Sequence, residues 1–238
     1  MLSDQATGFL HRSASSTVSQ DAPANFDALA GIYRWMEYLS FGPMLERCRF
    51  YFLPRCVNAR HALILGDGDG RFTARFLATN RTAQADAVDA SAAMLSALHW
   101  RARGADPQAE TRLRTAHADL RRWTPSGDDY DLVVSHFFLD CLTEDELDAL
   151  IARTLPHLTD DATWLISEFA VPDGRVRGAL ARLLIRFLYF AFAAMTRLRV
   201  SELPDYAAAM ARYGFYCKER VTFLGGLLIT ETWSSRKQ

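Results

Sequence analysis

An apolar segment that ends at three closely spaced glycines constrains the fold of this chain most strongly. Residues 62–65 (Ala-Leu-Ile-Leu) run directly into Gly66, and Gly68 and Gly70 follow at intervals of two. A short apolar run bounded by glycine predicts a buried parallel strand, and the residues after Gly70 are typical of a helix start. Glycines at such a turn permit positive φ and allow the backbone to approach a ligand closely, because no Cβ intervenes. The pattern therefore predicts a nucleotide-type cofactor site.

The spacing of the glycines distinguishes this loop from two common nucleotide motifs. A dinucleotide fingerprint requires glycines at i, i+2 and i+5. Counted from Gly66 the last position is Arg71, and counted from Gly68 it is Thr73. No Lys-Ser or Lys-Thr pair follows, so the Walker phosphate loop is absent as well. An NAD-dependent dehydrogenase is therefore the less favoured alternative.

Composition limits the size, partners and compartment of the protein. The chain has 238 residues, a net charge of -1 and 50% apolar residues, which predicts one large globular domain and no general attraction to nucleic acid. The cysteines lack the close pairs of a zinc or redox motif, so we expect no metal and a cytoplasmic location. These are Cys48, Cys56, Cys141 and Cys217. Residues 1–24 are rich in Ser, Thr and Ala, and we expect a mobile tail there.

Strand and helix patterns alternate after residue 58, which predicts an α/β fold with a doubly wound, mostly parallel sheet. Predicted strands are 61–65, 84–89, 113–118, 131–135 and 163–169, and predicted helices are 72–78, 92–101, 144–155 and 175–196. Two further strands, 215–223 and 227–233, flank Gly225-Gly226 and predict an antiparallel C-terminal hairpin, for seven strands in all. The aromatic-rich segment 25–57 predicts a helical N-terminal cap interrupted at Gly42-Pro43.

Acidic residues follow the second and third predicted strands, at the edge where ligands of open α/β sheets bind. Asp89 ends the second strand, and its carboxylate can accept both hydroxyl protons of a ribose. Asp119 follows the third strand, where it can accept an adenine amino proton while Leu120 and Met94 pack on the ring. The alternatives are an ordinary turn former for Asp89 and a helix or turn cap for Asp119.

Together these features resemble the class I S-adenosylmethionine-dependent methyltransferases. The resemblance rests on the glycine loop, Asp89, Ala118-Asp119-Leu120 and the fourth strand 131–135, and it extends over about residues 58–233. The antiparallel last strand of that family's Rossmann-like fold also accounts for the terminal hairpin. The resemblance implies S-adenosylmethionine as cofactor and S-adenosylhomocysteine as product.

The resemblance also implies roles for individual residues. The three glycines match the loop that wraps the methionine end of the cofactor, and Asp89 and Asp119 match the ribose and adenine acids. The family often has an acid two residues before the first glycine, where this chain has Ile64, so we expect Asp69 first, or Asp67, to face the cofactor's positive charges. The expected cofactor contacts are Gly66, Asp67, Gly68, Asp69, Gly70, Asp89, Ala90, Met94, Asp119, Leu120 and Ser135.

The N-terminal segment narrows the resemblance further. Residues 26–30 (Phe-Asp-Ala-Leu-Ala) followed by Tyr33-Arg34-Trp35 are similar to the opening of the ubiquinone and menaquinone C-methyltransferase-like enzymes. That similarity implies that Tyr33 lies over the sulfonium end of the cofactor, a favourable place for a ring face. The alternative is that these aromatic residues form the core of the helical cap.

Side chains after the fourth and fifth strands are candidates for contact with the methyl acceptor. His136 is the predicted proton acceptor if the acceptor is a hydroxyl or an acidic carbon, and the alternative is a packing or hydrogen-bonding role. Asp140 and Glu168 are further candidates for acceptor binding. The Asn/Asp-Pro-Pro-Tyr signature of amino methylation is missing, which argues against nucleic-acid bases and protein glutamine as acceptors.

The most apolar stretch of the chain, residues 179–195, lies in a predicted helical acceptor insert at 175–212. It is too short between its arginines to span a bilayer. It either packs against the sheet, lines an apolar acceptor pocket or makes peripheral membrane contact through 179–199. The sequence thus predicts methyl transfer to a small hydrophobic acceptor that is aromatic, quinone-like or lipid-like. The alternative is a protein that binds the cofactor without catalysis.

Overall fold

The computed structural model describes residues 43–172, 174, 178 and 204–235. Tyr33, the tail 1–24, most of the predicted cap 25–57 and the apolar segment 179–199 lie outside the described residues. Within the described part of the chain, no helix has the length and apolarity needed to cross a membrane.

Seven strands form one mixed sheet, which confirms the predicted fold class. The strands are β1 (His61–Leu65), β2 (Gln84–Asp89), β3 (Leu113–His117), β4 (Tyr130–His136), β5 (Leu158–Phe169), β6 (Phe215–Phe223) and β7 (Leu228–Ser235). Their order is β3-β2-β1-β4-β5-β7-β6. The first five strands pair in parallel, and β7 lies antiparallel between β5 and β6. Strand β5 begins at Leu158 rather than at residue 163, because an irregular register carries its pairing with β4 back to Tyr130.

Helices connect the strands and cover both faces of the sheet. They are α1 (Pro43–Phe50), α2 (Arg71–Thr79), α3 (Ala92–Ala105), α4 (Glu144–Thr154) and α5 (Tyr206–Arg212). Helix α4 begins with a capping box, in which the Thr143 side chain accepts from the Glu146 backbone and the Glu146 side chain accepts from the Thr143 backbone. This arrangement satisfies two backbone donors at the helix start.

The alternation of side chains along each strand divides the core into two layers. Ile64, Phe72 and Phe76 belong to the layer under α2 and α3, whereas Leu65 and Trp164 belong to the layer under α4 and α5. The chain adds β2 and β3 on one side of β1 and β4 and β5 on the other, so its winding direction switches between β1 and β4. In open α/β sheets ligands bind at the carboxyl edge of such a switch point, and the glycine loop lies there.

Candidate functional site

The glycine loop connects β1 to α2 with all three glycines in the left-handed region. The φ angles are 66° at Gly66, 58° at Gly68 and 75° at Gly70, a conformation that costs other residues about 1–2 kcal/mol. The Gly66 amide donates to the Val88 carbonyl at 2.9 Å, and the Gly70 amide donates to the Asp67 carbonyl at 3.2 Å. The loop is thus a folded turn fixed by backbone hydrogen bonds within itself and to β2.

The three glycines differ in the space around them. A Cβ at Gly66 would lie 2.6 Å from Cδ2 of Phe138, and one at Gly70 would lie 2.4 Å from Cγ of Leu98. Among the described residues, a Cβ at Gly68 would meet only Sδ of Met94, at 3.8 Å. Gly66 and Gly70 therefore allow close packing of the protein on itself, whereas Gly68 leaves open space above the loop for a ligand.

Asp89 lies beside this open position. One carboxylate oxygen accepts from the Gly68 amide at 3.2 Å, and the other accepts from the Ser91 amide at 2.9 Å. Burial raises the pKa of Asp89, and the two amide hydrogen bonds act in the opposite direction. The structure brings the predicted ribose acid and the glycine loop together. Gly66, Gly68, Gly70 and Asp89 thus form a cradle that fits a nucleoside cofactor.

Asp67 has a structural partner that its sequence position does not reveal. Its side chain is buried and accepts from both the Thr73 amide, at 2.9 Å, and the Thr73 hydroxyl, at 2.7 Å. These bonds satisfy the first turn of α2, since its N-cap residue Gly70 has no side chain to do so. Burial raises the pKa of Asp67, and the positive charge of Arg49 and the bonds from Thr73 oppose that rise.

Asp69 also has protein partners. Its carboxylate lies 2.7 Å from Nη2 of Arg101 and 3.3 Å from Nε of Arg71, and Nε of Arg101 donates to its carbonyl at 3.1 Å. Two guanidinium groups therefore balance its charge. Neither acid inside the loop is left to neutralise a bound cation, so the structure does not support the expected role of Asp69.

The predicted adenine end of the site has both accessible and buried members. Asp119 is half-exposed and pairs with Arg121, whose Nη2 lies 2.6 Å from the carboxylate, which lowers the pKa of Asp119. Met94 lies in the first turn of α3, and its amide donates to the N-cap Ser91 at 3.2 Å. Leu120 is buried in the core, so its side chain presents almost no surface to a ligand. The Ala90 carbonyl contacts Nε2 of His117 at 3.1 Å.

Ser135 and His136 end β4 inside the protein. Ser135 is fully buried and accepts from the Trp164 indole at 3.0 Å, so its side chain has no surface for a cofactor contact. The His136 ring is 3% exposed and lies edge-on to Phe72, and its Nδ1 is 2.8 Å from Oγ of Ser167. Burial and the positive charge of Arg49 hold the pKa of His136 well below its usual value. His136 is thus a neutral, buried ring in this structure.

A hydrogen-bonded row of side chains sets the tautomer of His136. The Thr230 hydroxyl donates to the Ile166 carbonyl at 3.3 Å, so the Ser167 hydroxyl donates to Thr230, at 2.8 Å. Ser167 then accepts from Nδ1–H of His136, which leaves Nε2 without a proton. Among the described residues Nε2 has no hydrogen-bond partner. Ser167 and Thr230 could not be predicted from sequence patterns, because they approach His136 only through pairing of β5 with β4 and β7.

A carboxyl pair lies on the other side of the sheet at the same edge. Glu168 is 1% exposed and accepts from the amides of Phe138, at 3.1 Å, and Leu139, at 2.8 Å. Asp140 is 7% exposed, and its negative charge together with burial raises the pKa of Glu168 well above the usual value. The structure therefore brings together the two acids that the sequence offered as acceptor-binding candidates. The described residues contain no group of His, Cys, Asp and Glu arranged to hold a metal ion.

Comparisons with known proteins agree with this fold. Residues 63–163 match the family model described as "Methyltransferase domain". The chain superposes on the mitomycin 7-O-methyltransferase MmcR with a TM-score of 0.64 at 14% identity, covering 89% of this chain and 60% of that one. No curated protein sequence matches the chain.

Two further structures show the same fold. One is N,N-8-amino-8-demethyl-D-riboflavin dimethyltransferase (RosA) from Streptomyces davawensis, with a TM-score of 0.61, 17% identity, and coverage of 91% of this chain and 63% of that one. The other is the N-methyltransferase NodS from Bradyrhizobium japonicum WM9 in complex with S-adenosyl-L-homocysteine. For NodS the TM-score is 0.54 at 14% identity, covering 81% of this chain and 88% of that one.

The matched segment covers less than half of the chain, and the structural neighbours share its fold at low sequence identity. Residues 63–163 are therefore similar to a methyltransferase domain, and the fold is the one that the sequence predicts. The chain spans about 60% of the length of MmcR and 57% of the next structures that it resembles.

Proposed function

We propose that the protein transfers a methyl group from S-adenosylmethionine to a small hydrophobic acceptor by in-line displacement. The observation that carries this proposal is the open position above Gly68 with the Asp89 carboxylate beside it. The cofactor supplies an activated methyl group on a sulfonium, so positioning and exclusion of water provide most of the catalysis. The chain's own residues therefore bind the cofactor, orient the acceptor and manage its proton.

In this proposal the parts of the cofactor bind at successive positions along the carboxyl edge of the sheet. Asp89 accepts the ribose hydroxyls, the backbone of the glycine loop holds the methionine end, and Met94 with Asp119 lies at the adenine. Asp119 is held by Arg121, so adenine binding at its carboxylate requires that ion pair to open or shift. The charges of Asp67 and Asp69 are balanced by protein partners, which leaves acids outside the loop to face the sulfonium.

The acceptor side of the proposal rests on apolar side chains after β4 and β5. Phe137 and Phe169 lie with ring centroids 5.4 Å apart, and Phe138 packs on Gly66. MmcR and RosA are named for the small molecules mitomycin and a riboflavin derivative, which supports a small aromatic acceptor here. Tyr33 over the sulfonium and the insert 175–212 beside the acceptor belong to the same proposal.

Cofactor binding is tested by calorimetric titration of the wild-type protein with S-adenosylmethionine, S-adenosylhomocysteine and NAD. We expect saturable binding of the first two and none of NAD. In Asp89→Ala the ribose loses bonds to a charged partner worth about 1.5–3 kcal/mol, which weakens binding roughly 10- to 100-fold. Asp160→Ala, an exposed change on β5, is the control and should bind as wild type.

Turnover is tested on the same preparation with a panel of phenols, quinols and amines, followed by S-adenosylhomocysteine release. Methyl transfer to any member of the panel supports the proposal that the protein is an enzyme. Tight cofactor binding without turnover on the whole panel supports the alternative of a binding protein without catalysis. Binding of NAD in competition with S-adenosylmethionine would contradict the cofactor assignment.

A further inference from the structure

Glu168 is buried, and only one of its two carboxylate oxygens has hydrogen-bond partners among the described residues. One oxygen, Oε1, accepts from the amides of Phe138 and Leu139 and thereby fixes the start of the short 3-10 helix Leu139–Cys141. The other oxygen, Oε2, is buried and has no hydrogen-bond partner among the described residues. Burying a polar atom without a hydrogen-bond partner costs free energy of folding, unless a further group supplies that partner.

Asp140 follows directly on the segment that Glu168 fixes. It is 7% exposed, and its Oδ1 accepts from the Cys141 thiol at 3.5 Å. The charge of Asp140 raises the pKa of Glu168, and two neighbouring carboxylates in a buried place cannot both ionise easily. The pair therefore retains one proton over a pH range in which an isolated carboxyl group would be fully ionised.

Among the described residues, the other titratable groups around the pair come from four elements. From α1 there is Cys48, from the end of β2 Asp89, from α5 Tyr206 and from the pair's own loop Cys141. The pKa of each of the thiols and of Tyr206 is raised mainly by burial, so these groups are neutral near pH 7. Within the described part of the chain, the groups that can carry negative charge at this edge are therefore Asp140, Glu168 and Asp89.

The Asp140–Glu168 pair lies at the edge of the sheet that carries the glycine loop. Strands β4 and β5 are neighbours, so the residues at their carboxyl ends lie at the same edge as the glycine loop. The amide of Phe138 donates to Glu168. The Phe138 side chain packs so closely on Gly66 that a Cβ there would lie 2.6 Å away. The carboxyl pair is thus linked through Phe138 to the glycine loop.

We propose that Asp140 accepts the proton of a hydroxyl acceptor during methyl transfer, and that Glu168 is the positioning residue that fixes Asp140 and shares its charge. This inference rests on the proposed function. As the acceptor oxygen forms its bond to the methyl carbon, the carbon–sulfur bond breaks and its electron pair stays on sulfur. The hydroxyl proton passes to Asp140, so charge and atoms balance.

The chemistry of the pair favours a hydroxyl over other acceptors. A neutral amine attacks through its lone pair and needs no base in the same step. A phenolic or enolic hydroxyl becomes strongly nucleophilic only when its proton is removed, and a neighbouring carboxylate can accept that proton. The acceptor class assigned is therefore a small phenol or enol.

The test compares phenol with para-nitrophenol as acceptors at pH 8, using the whole protein and saturating S-adenosylmethionine. Phenol, like tyrosine, ionises near pH 10, whereas para-nitrophenol is already an anion and has no proton to give. We expect Asp140→Asn to lower kcat on phenol by about 100-fold or more and on para-nitrophenol by less than about 5-fold, since a general base contributes roughly 10²–10⁴. Cofactor affinity should change by less than about 2-fold.

Two variants separate a chemical role from a structural one. Glu168→Gln keeps a carbonyl oxygen for the amides of Phe138 and Leu139 but removes the charge, so the acid limb of the kcat profile should shift to lower pH. Asp140→Glu should restore part of the activity on phenol. Asp145→Asn, an exposed residue on α4, is the matched control and should leave both acceptors unchanged.

The outcomes are distinct. An equal loss on both phenols in Asp140→Asn, or no loss on either, overturns the inference, as does a Glu168→Gln profile that does not move. A wild-type protein that binds S-adenosylmethionine but methylates neither phenol overturns the hydroxyl assignment and leaves the proposed function with another acceptor. Failure of the wild-type protein to bind S-adenosylmethionine overturns the proposed function itself.

Discussion

Single residues of the glycine loop have different tasks, although the sequence presents them as one repeating pattern. Gly70 lets Leu98 of α3 pack against the loop, and Gly66 does the same for Phe138. Gly68 has open space and faces Asp89. The sequence predicted positive φ at this turn, but not the assignment of packing to two glycines and ligand access to the third. That assignment depends on side chains that approach from α3 and from the loop after β4.

This difference predicts opposite behaviour of two alanine variants. Gly70→Ala combines left-handed strain with a Cβ 2.8 Å from the Leu98 Cα, and should lower the free energy of unfolding by more than about 3 kcal/mol. Gly68→Ala carries the strain alone, about 1–2 kcal/mol, and should fold but bind S-adenosylhomocysteine at least about tenfold more weakly. Urea unfolding and calorimetric titration measure the two effects. A Gly68→Ala protein with wild-type affinity would contradict the account of the open position.

His136 predicts a pH dependence of stability. Its folded pKa lies well below the unfolded value of about 6.5, so below that pH the unfolded chain binds a proton that the folded protein excludes. His136 should therefore cost stability as the pH falls from about 7 to 5, by up to about 1.4 kcal/mol per pH unit. His136→Gln should show a shallower fall in urea unfolding than the wild-type protein. Equal slopes in the two proteins would refute the buried neutral ring.

At the scale of elements, the strands and helices of the sheet were predictable because their signals are local. The apolar run before Gly66 and the glycine pair after β6 indicated a buried strand and a hairpin from neighbouring residues alone. The roles of Asp67 and Asp69 were not predictable. Asp67 accepts from Thr73 only once α2 has formed, and Asp69 pairs with Arg101, which α3 brings from 32 residues away. Contacts made by folding decided both roles.

Replacing Asp67 should therefore destabilise the protein more than replacing Asp69. Asp67→Ala leaves the start of α2 without its cap and the Thr73 donors unsatisfied, and should cost about 2–3 kcal/mol. Asp69→Ala removes partly exposed ion pairs and should cost about 1 kcal/mol or less. Thermal and urea unfolding of the two variants measure the difference. An Asp69→Ala protein that is the less stable of the two would show that the helix cap has been misassigned.

At the scale of the whole molecule, the strand order makes one edge of the sheet carry every element of the site. The glycine loop follows β1, Asp89 ends β2, Asp140 lies in the loop after β4, and Glu168 lies near the end of β5. Alternation of strands and helices, with right-handed crossovers, was enough to predict that these segments meet. It was not enough to predict on which face of the sheet each side chain lies. His136 points into the layer under α2, whereas Glu168 lies on the opposite face, as the register of β4 with β5 determines.

The most direct test of the account is a crystal structure of the protein with S-adenosylhomocysteine. The account predicts the ligand along Gly66–Gly70, with its ribose hydroxyls within about 3 Å of the Asp89 carboxylate. Its sulfur should face the Asp140–Glu168 pair, and Arg101 should still hold Asp69. S-adenosylhomocysteine bound at another edge of the sheet, or bound here with its ribose away from Asp89, would contradict the central claim.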